Sequence, residues 1–257
     1  MRVISICPSN TEIIEYLGLS DLLVGVDDYS DWPPAIDKLP RLGPDLSINM
    51  DAVQELQPDL VIASLSVPGM EKNIENLKKR NIPHIVLNPQ SLSDIEEDLR
   101  RTAIALGEQE IGEKAASKFH NEVEALKELG KKHSKRPSLY WEWWPKPVFT
   151  PGRVNWLTEI SELAGANNLY EDVELASVQT DWDDVYKRNP DYICLSWVGV
   201  RTEKIKPETL LKRPNWSNLD AIKNNRVLVL EEELYCRPSP RLLEGARKLI
   251  GLLHPED

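Results

Sequence analysis

Short apolar runs alternate with amphipathic stretches along most of the chain. Residues 3–7 (Val-Ile-Ser-Ile-Cys) read as a buried strand. Pro8-Ser-Asn-Thr-Glu then opens a helix over 11–17, with Ser9 or Asn10 as its cap, Glu12 in its first turn and Gly18 as its stop. Further strands are predicted at 23–26, 60–63 and 85–87, and helices at 50–56, 71–80 and 93–106. Residues 108–132 break the rhythm. They are helix formers without proline, interrupted only by Gly112 and Gly130, and predict one helix of unusual length. After Pro137 the alternation resumes. Helices are expected at 156–164, 215–222 and 242–253, and strands at 139–141, 192–198 and 227–230, with 173–180 irregular. Strands alternating with helices imply parallel sheets covered on both faces. The expected fold class is α/β, with two Rossmann-like lobes of mostly parallel sheet joined by one long connector helix. The boundaries fall at 1–107, 108–134 and 135–257.

The two halves echo each other. Asp51-Ala-Val-Gln-Glu-Leu-Gln-Pro-Asp-Leu-Val-Ile in the first matches Asp183-Asp-Val-Tyr-Lys-Arg-Asn-Pro-Asp-Tyr-Ile-Cys in the second. Each has an acid, Val two later, Pro seven later, then Asp and an apolar strand. A weaker echo pairs 12–18 with 159–165. The bland explanation, ordinary helix–turn–strand units, is weaker for two echoes in the same order. Offsets of 132 (183 minus 51) and 147 (159 minus 12) are too long for a solenoid.

The densest aromatic stretch is 140–152, Tyr-Trp-Glu-Trp-Trp-Pro-Lys-Pro-Val-Phe-Thr-Pro-Gly, with three of the eight Trp. Residues 140–144 have strand composition, with Trp141 and Trp143 on one face. The prolines forbid a helix beyond them. A single Trp is more often core than ligand surface. Three within four positions suit a wall for a flat or bulky ligand.

Charge and composition narrow the function. The 257 residues carry a net charge of −11, which argues against nucleic acid and anionic membrane as partners. Cys7, Cys194 and Cys236 match no metal or redox spacing. No run approaches a membrane span, so no membrane insertion is expected. The opening Met-Arg-Val-Ile-Ser-Ile-Cys-Pro has no signal-peptide pattern, so the expected location is cytoplasmic as written, with export or the cell surface as the alternative. A monomer is expected.

Catalytic motifs are absent. There is no phosphate loop, no dinucleotide fingerprint and no nucleophile elbow. His84, His120, His133 and His254 are scattered, and no metal site is expected. The chain reads as a binder, not an enzyme. Aromatic residues instead cluster on segments that follow strands, where open α/β sheets bind ligands. They are Trp32, Trp143, Trp144, Trp197 and Tyr235. Lobes closing face to face would bring them together on a flat, partly apolar ligand.

These stretches resemble the substrate-binding proteins of metal-chelate ABC importers, in the two-lobed class joined by one long helix. The matching pieces are Cys-Pro-Ser-Asn-Thr-Glu at 7–12, Val-Gly-Val at 24–26, Tyr-Ser-Asp-Trp-Pro-Pro at 29–34, Pro-Asp-Leu-Val-Ile at 58–62, Pro-Val-Phe-Thr-Pro-Gly at 147–152 and Arg-Pro-Ser-Pro-Arg at 237–241. The 30–34 and 237–241 pieces point to the cobalamin-binding branch. The resemblance implies capture of cobalamin or a related corrinoid in the inter-lobe cleft. It makes Trp32 and the loop after Trp143 pocket walls and brings Glu233 to Arg237 towards the ligand. It also makes Asp51 and Asp183 the acids that meet arginines of a permease. At two further tryptophan positions of that branch this chain has Asp45 and Ser64, for which Trp144 and Trp197 could compensate. Haem or a ferric siderophore is the alternative ligand, kept open by Arg153, Arg201 and Arg237. A cytosolic corrinoid-handling protein on the same fold is another.

Overall fold

The computed structural model describes residues 1–255. The first half runs β1 (Val3–Ser5), α1 (Pro8–Tyr16), β2 (Leu23–Val26), α2 (Met50–Glu55), β3 (Leu60–Ser64), α3 (Glu71–Lys79), β4 (His84–Leu87) and α4 (Leu92–Ala105). The 22-residue α5 (Gln109–Gly130) follows. The second half runs β5 (Ser138–Glu142), β6 (Trp144–Pro145), β7 (Val148–Pro151), α6 (Trp156–Leu163), β8 (Asn167–Asn168), β9 (Ser177–Thr180) and α7 (Trp182–Arg188). It ends with β10 (Tyr192–Leu195), α8 (Asp220–Lys223), β11 (Val227–Val229), α9 (Glu232–Tyr235) and α10 (Leu242–Leu253).

The chain divides into two compact units. Met1–Asn121 with Pro238–Pro240 forms one; Glu122–Arg237 and the chain from Arg241 form the other. The division therefore falls inside α5. Unit one has a parallel sheet of order β2-β1-β3-β4, and unit two one of order β11-β10-β5-β8. The α/β class with parallel sheets is as expected.

The helix boundaries differ in one informative place. Neither Ser9 nor Asn10 caps α1. Cys7 is the N-cap and Pro8 sits at the first helical position, where its missing N–H costs nothing and its φ is preset. Ser9 and Asn10 are therefore inside the helix and buried, and Asn10 donates to the Ile62 carbonyl at 3.2 Å. The predicted helix at 215–222 is a 3-10 turn followed by the four-residue α8.

The internal echo has a physical basis. Asn49 caps α2 by accepting from the Asp51 and Ala52 amides, and Asp181 caps α7 by accepting from those of Asp183 and Asp184. Val53 and Val185, two residues past the acids, are fully buried. Gln57 and Asn189 then take left-handed backbone, at φ 45° and 44°, and Pro follows each. The Asp after that Pro grips the neighbouring strand. Asp59 accepts the Arg2 amide at 2.6 Å, and Asp191 the Ser138 amide at 2.8 Å and its hydroxyl at 2.9 Å. Each grip sets the register of a central pair, Val3 opposite Leu60 and Leu139 opposite Tyr192.

Each unit has its own core. Unit one buries Ile4, Val53, Val61, Ala63 and Leu77. Unit two buries Tyr140, Val185, Ile193, Leu195 and Trp216. Each Val, Ile or Leu among them, buried this fully, contributes about 1.5–3 kcal/mol. The three thiols are free, and burial raises each: Cys7 to about 11, Cys194 and Cys236 further.

One element was not foreseen. Unit two carries an antiparallel sheet of order β6-β7-β9, in which Val148 to Pro151 pair with Thr180 to Ser177. The segment expected to be irregular thus supplies an edge strand.

Candidate functional site

In unit one the loop after β2 presents two exposed aromatics, Tyr29 at 53% and Trp32 at 40% exposure. A buried polar relay fixes the base of this loop. The Asp27 carboxylate accepts the amides of Tyr29 and Ser30 and the Ser30 hydroxyl at 2.5 Å. Ser30 meets the Thr11 hydroxyl at 2.7 Å, and Thr11 donates to Ser5 at 2.7 Å. Arg41 closes the turn through the Asp27 and Ser30 carbonyls. Burial pushes the Asp27 carboxyl up to about 6, against the pull of these donors. The relay spans the carboxyl ends of β1 and β2, so the sheet itself aims the loop.

In unit two the aromatics differ in role. Trp141 is wholly buried, with its indole N–H on Ser161 of α6. Trp143 is half-buried, its ring 6.1 Å from that of Trp156, also on α6. Both side chains of the pair expected on one face therefore reach the same helix. The Trp143 indole N–H is buried without a hydrogen-bond partner. Trp144 is 44% exposed on edge strand β6.

Trp197, just past β10, is half-buried and donates its indole N–H to Glu142 at 3.1 Å. Glu142 is fully buried and anchors a network. Arg213 grips both its oxygens at 2.6 and 2.8 Å, and the Tyr140 hydroxyl donates at 2.8 Å. The guanidinium lies over the rings of Trp182 and Trp216, at 5.0 and 4.3 Å. Burial, with the Glu142 charge beside it, drives the Tyr140 hydroxyl well above its ordinary range.

Tyr235 departs from expectation. It is fully buried, 5.4 Å from the Trp141 ring, with its hydroxyl on the Gly245 carbonyl, so it is core and presents no surface to a ligand. The cause is α9, which turns the side chain inward one turn after β11. Glu233 is half-buried on the same short helix. Arg237 is 8% exposed and paired with Glu232 at 3.0 Å. Ser64 is buried and bonded to Ser66. Among the described residues no group of three or more His, Cys, Asp or Glu could hold a metal, and no helix is long and apolar enough to cross a membrane.

The periplasmic binding protein profile matches residues 3–234. The chain belongs to this family. It is 30% identical to an uncharacterized ABC transporter substrate-binding lipoprotein, YvrC, of Bacillus subtilis, over 99% of this chain and 80% of that protein. The solved vitamin B12-binding protein of Vibrio cholerae is 25% identical, with TM-score 0.79 over 99% of this chain and 96% of its own. A haem-binding protein of Roseiflexus has the same fold, at 23% identity and TM-score 0.85 over 99% and 98% of the two chains. These are non-catalytic binding proteins, and this periplasmic binding protein is likewise no enzyme. The relatives' names fit the exported alternative and lend no support to a cytoplasmic location.

The two acids of this binding protein both lie exposed in the first turn of short helices. Asp51 pairs with Arg80 at 2.7 Å, and Asp183 with Lys187 at 2.6 Å. Sequence reasoning missed Tyr29, the Asp27 relay and Glu142. Tyr29 carried a signal, being an aromatic three residues before Trp32. Glu142 had none, since its partner Arg213 is 71 residues away.

Proposed function

We propose that this protein is the ligand-capturing component of an ABC importer and that its ligand is cobalamin or a related corrinoid. The observation that carries the reading is the set of aromatic surfaces following the strands of each unit: Tyr29 and Trp32 in one, Trp144 and Trp197 in the other. Planar side chains bind flat ligands at low entropic cost, and the relays beneath them hold them in place before binding. Identity to vitamin B12 binders along nearly the whole chain supports the ligand class. Trp143 and Glu233, both half-buried in unit two, are assigned to the same ligand surface under this reading. Asp51 and Asp183 serve as one docking acid per unit for arginines of the permease. The protein works outside the cytoplasm as a monomer.

Tryptophan fluorescence during a cobalamin titration tests the ligand. Saturable quenching is expected, with Trp32→Ala and Trp144→Ala each weakening binding about tenfold, the loss of one aromatic contact and its buried area. Unchanged affinity in both variants rejects the assignment. Haem is the second reading, favoured by exposed Tyr29 beside Trp32, since a phenol can ligate iron. A Soret band on mixing with haemin, lost in Tyr29→Phe, would select it.

A further inference from the structure

At the amino ends of the parallel strands of unit two, the opposite end from Trp197, lies a groove of about 470 Å³. Three cations line it: Lys135 and Arg136 just before β5, and Arg226 just before β11. Asp191, just before β10, is the one acid among its lining residues. In a chain of net charge −11 the local sign is reversed. Among the described residues none of the three cations makes an ion pair. Arg136 gives its Nε to the Asn167 side-chain oxygen at 3.0 Å and its Nη2 to the Ala166 carbonyl at 2.9 Å, both neutral. Arg226 lies over the Tyr192 ring at 5.5 Å. One oxygen of Asp191 is turned to Ser138, accepting its amide and its hydroxyl. The remaining walls are stiff. Pro137 and Leu253 supply carbon, and His254 is fixed by its ring 3.6 Å from that of His133 and by donating its Nε2–H to the Ala164 carbonyl at 3.0 Å.

We infer that this groove binds a soluble anion carrying a short run of linked phosphates, at a site separate from the aromatic ligand surface. The inference does not rest on the importer reading. Neutral partners fix where the Arg136 guanidinium points without cancelling its charge, and a cleft with low-dielectric walls strengthens such a field. The spacing of the cations selects the shape of the guest. Arg136 is drawn towards β8 by Asn167 and Ala166, while Arg226 leans on Tyr192, the first residue of β10. In the order β11-β10-β5-β8 these positions are two strand spacings apart, about 10 Å. A lone carboxylate or phosphate meets one end of the groove only. Linked phosphates span both, and their several negative charges match three cations set against one acid. Guanidinium forks take phosphate oxygens in pairs, and an ammonium such as that of Lys135 serves as a point charge between them. Neither Lys135 nor Arg226 has a side-chain hydrogen bond to give up among the described residues.

Calorimetric titration with sodium tripolyphosphate in metal-free buffer tests this, with orthophosphate as the comparison. Saturable binding is expected, about tenfold or more tighter than that of orthophosphate, and weakening as salt is added. Arg226→Ala and Lys135→Ala, both at exposed positions, should each weaken it about tenfold, the loss of one charge-assisted contact. Lys78→Ala, which removes an exposed cation from α3 of unit one, should leave it unchanged. All three variants should keep the wild-type melting temperature. Glu256 and Asp257 lie outside the described residues, so a chain ending at Pro255 is titrated as well, and binding is expected in both forms. No binding at millimolar tripolyphosphate, binding by the shortened chain alone, wild-type affinity in both groove variants, or an equal loss in Lys78→Ala overturns the inference. Vesicles of phosphatidylglycerol separate a soluble ligand from a lipid headgroup. No co-sedimentation is expected; co-sedimentation that Arg226→Ala abolishes would assign the groove to a membrane and overturn the soluble ligand.

Discussion

Replacing Glu142 by Gln tests the energetics of unit two most directly. The change keeps the shape and removes the charge from a carboxylate that is fully buried, facing a guanidinium whose side chain is 4% exposed. In the native protein Arg213 makes two bonds of 2.6 and 2.8 Å to it, while Tyr140 and Trp197 donate to the same two oxygens. After the substitution a cation stays enclosed by Trp182 and Trp216 with no counter-charge. Breaking a buried pair by removing one member costs about 3–5 kcal/mol. For a chain of this size each kcal/mol lowers Tm by roughly 2–4 °C, so the melt should fall by roughly 6–20 °C. Arg213→Met should cost a similar amount, since it strands the carboxylate. The double variant should recover most of the loss, because two neutral side chains of similar bulk leave no bare charge. Denaturant titration followed by tryptophan emission, run as a double-mutant cycle, gives the coupling energy. Single variants within about 1 kcal/mol of wild type, or a double variant whose loss is the sum of both, would refute the reasoning.

Other consequences can be checked as quickly. Asp27 and Asp98 both have carboxyls raised by burial, to about 6 and about 7. The folded state therefore holds protons that the unfolded chain has released, and stability should fall as pH rises from about 4 to about 7, by a few kcal/mol in total. Asp27→Asn should flatten the lower part of that slope; an unchanged slope in urea titrations at stepped pH counts against it. Gly245→Ala in α10 should destabilise by about 1–3 kcal/mol, against the usual gain from Ala in a helix, because its methyl would meet the Leu234 carbonyl and, at 3.1 Å, the Tyr235 ring. Asp191→Ala removes two bonds from the start of β5 and should cost about 1–3 kcal/mol, visible as faster amide exchange in β5 and β10.

The sequence made the repeated units readable because their signals are local. An acid, a buried valine, a left-handed residue and Pro-Asp lie within nine positions, and the two copies share one offset. Helix ends marked by glycine were equally plain, as at Gly107 and Gly165, which take φ 79° and 68°. What escaped was long-range. Strand β9 has little apolar character, with Ser177 and Gln179 exposed, and becomes a strand only by pairing with β7. The inward turn of Tyr235 follows from a four-residue helix that no periodicity could announce. An aromatic count could list candidate ligand residues, but only packing separates exposed Trp32 and Trp144 from buried Trp141 and Tyr235.

The state of the thiols has a practical corollary. Burial raises all three thiols above their ordinary range, with Cys7 and Cys194 enclosed and Cys236 half-buried, so maleimide reagents should react with them slowly. A single cysteine introduced on the outside, at Lys146 for instance, can then carry a dye without first deleting the native ones. Movement on ligand capture would become visible in an otherwise unaltered protein.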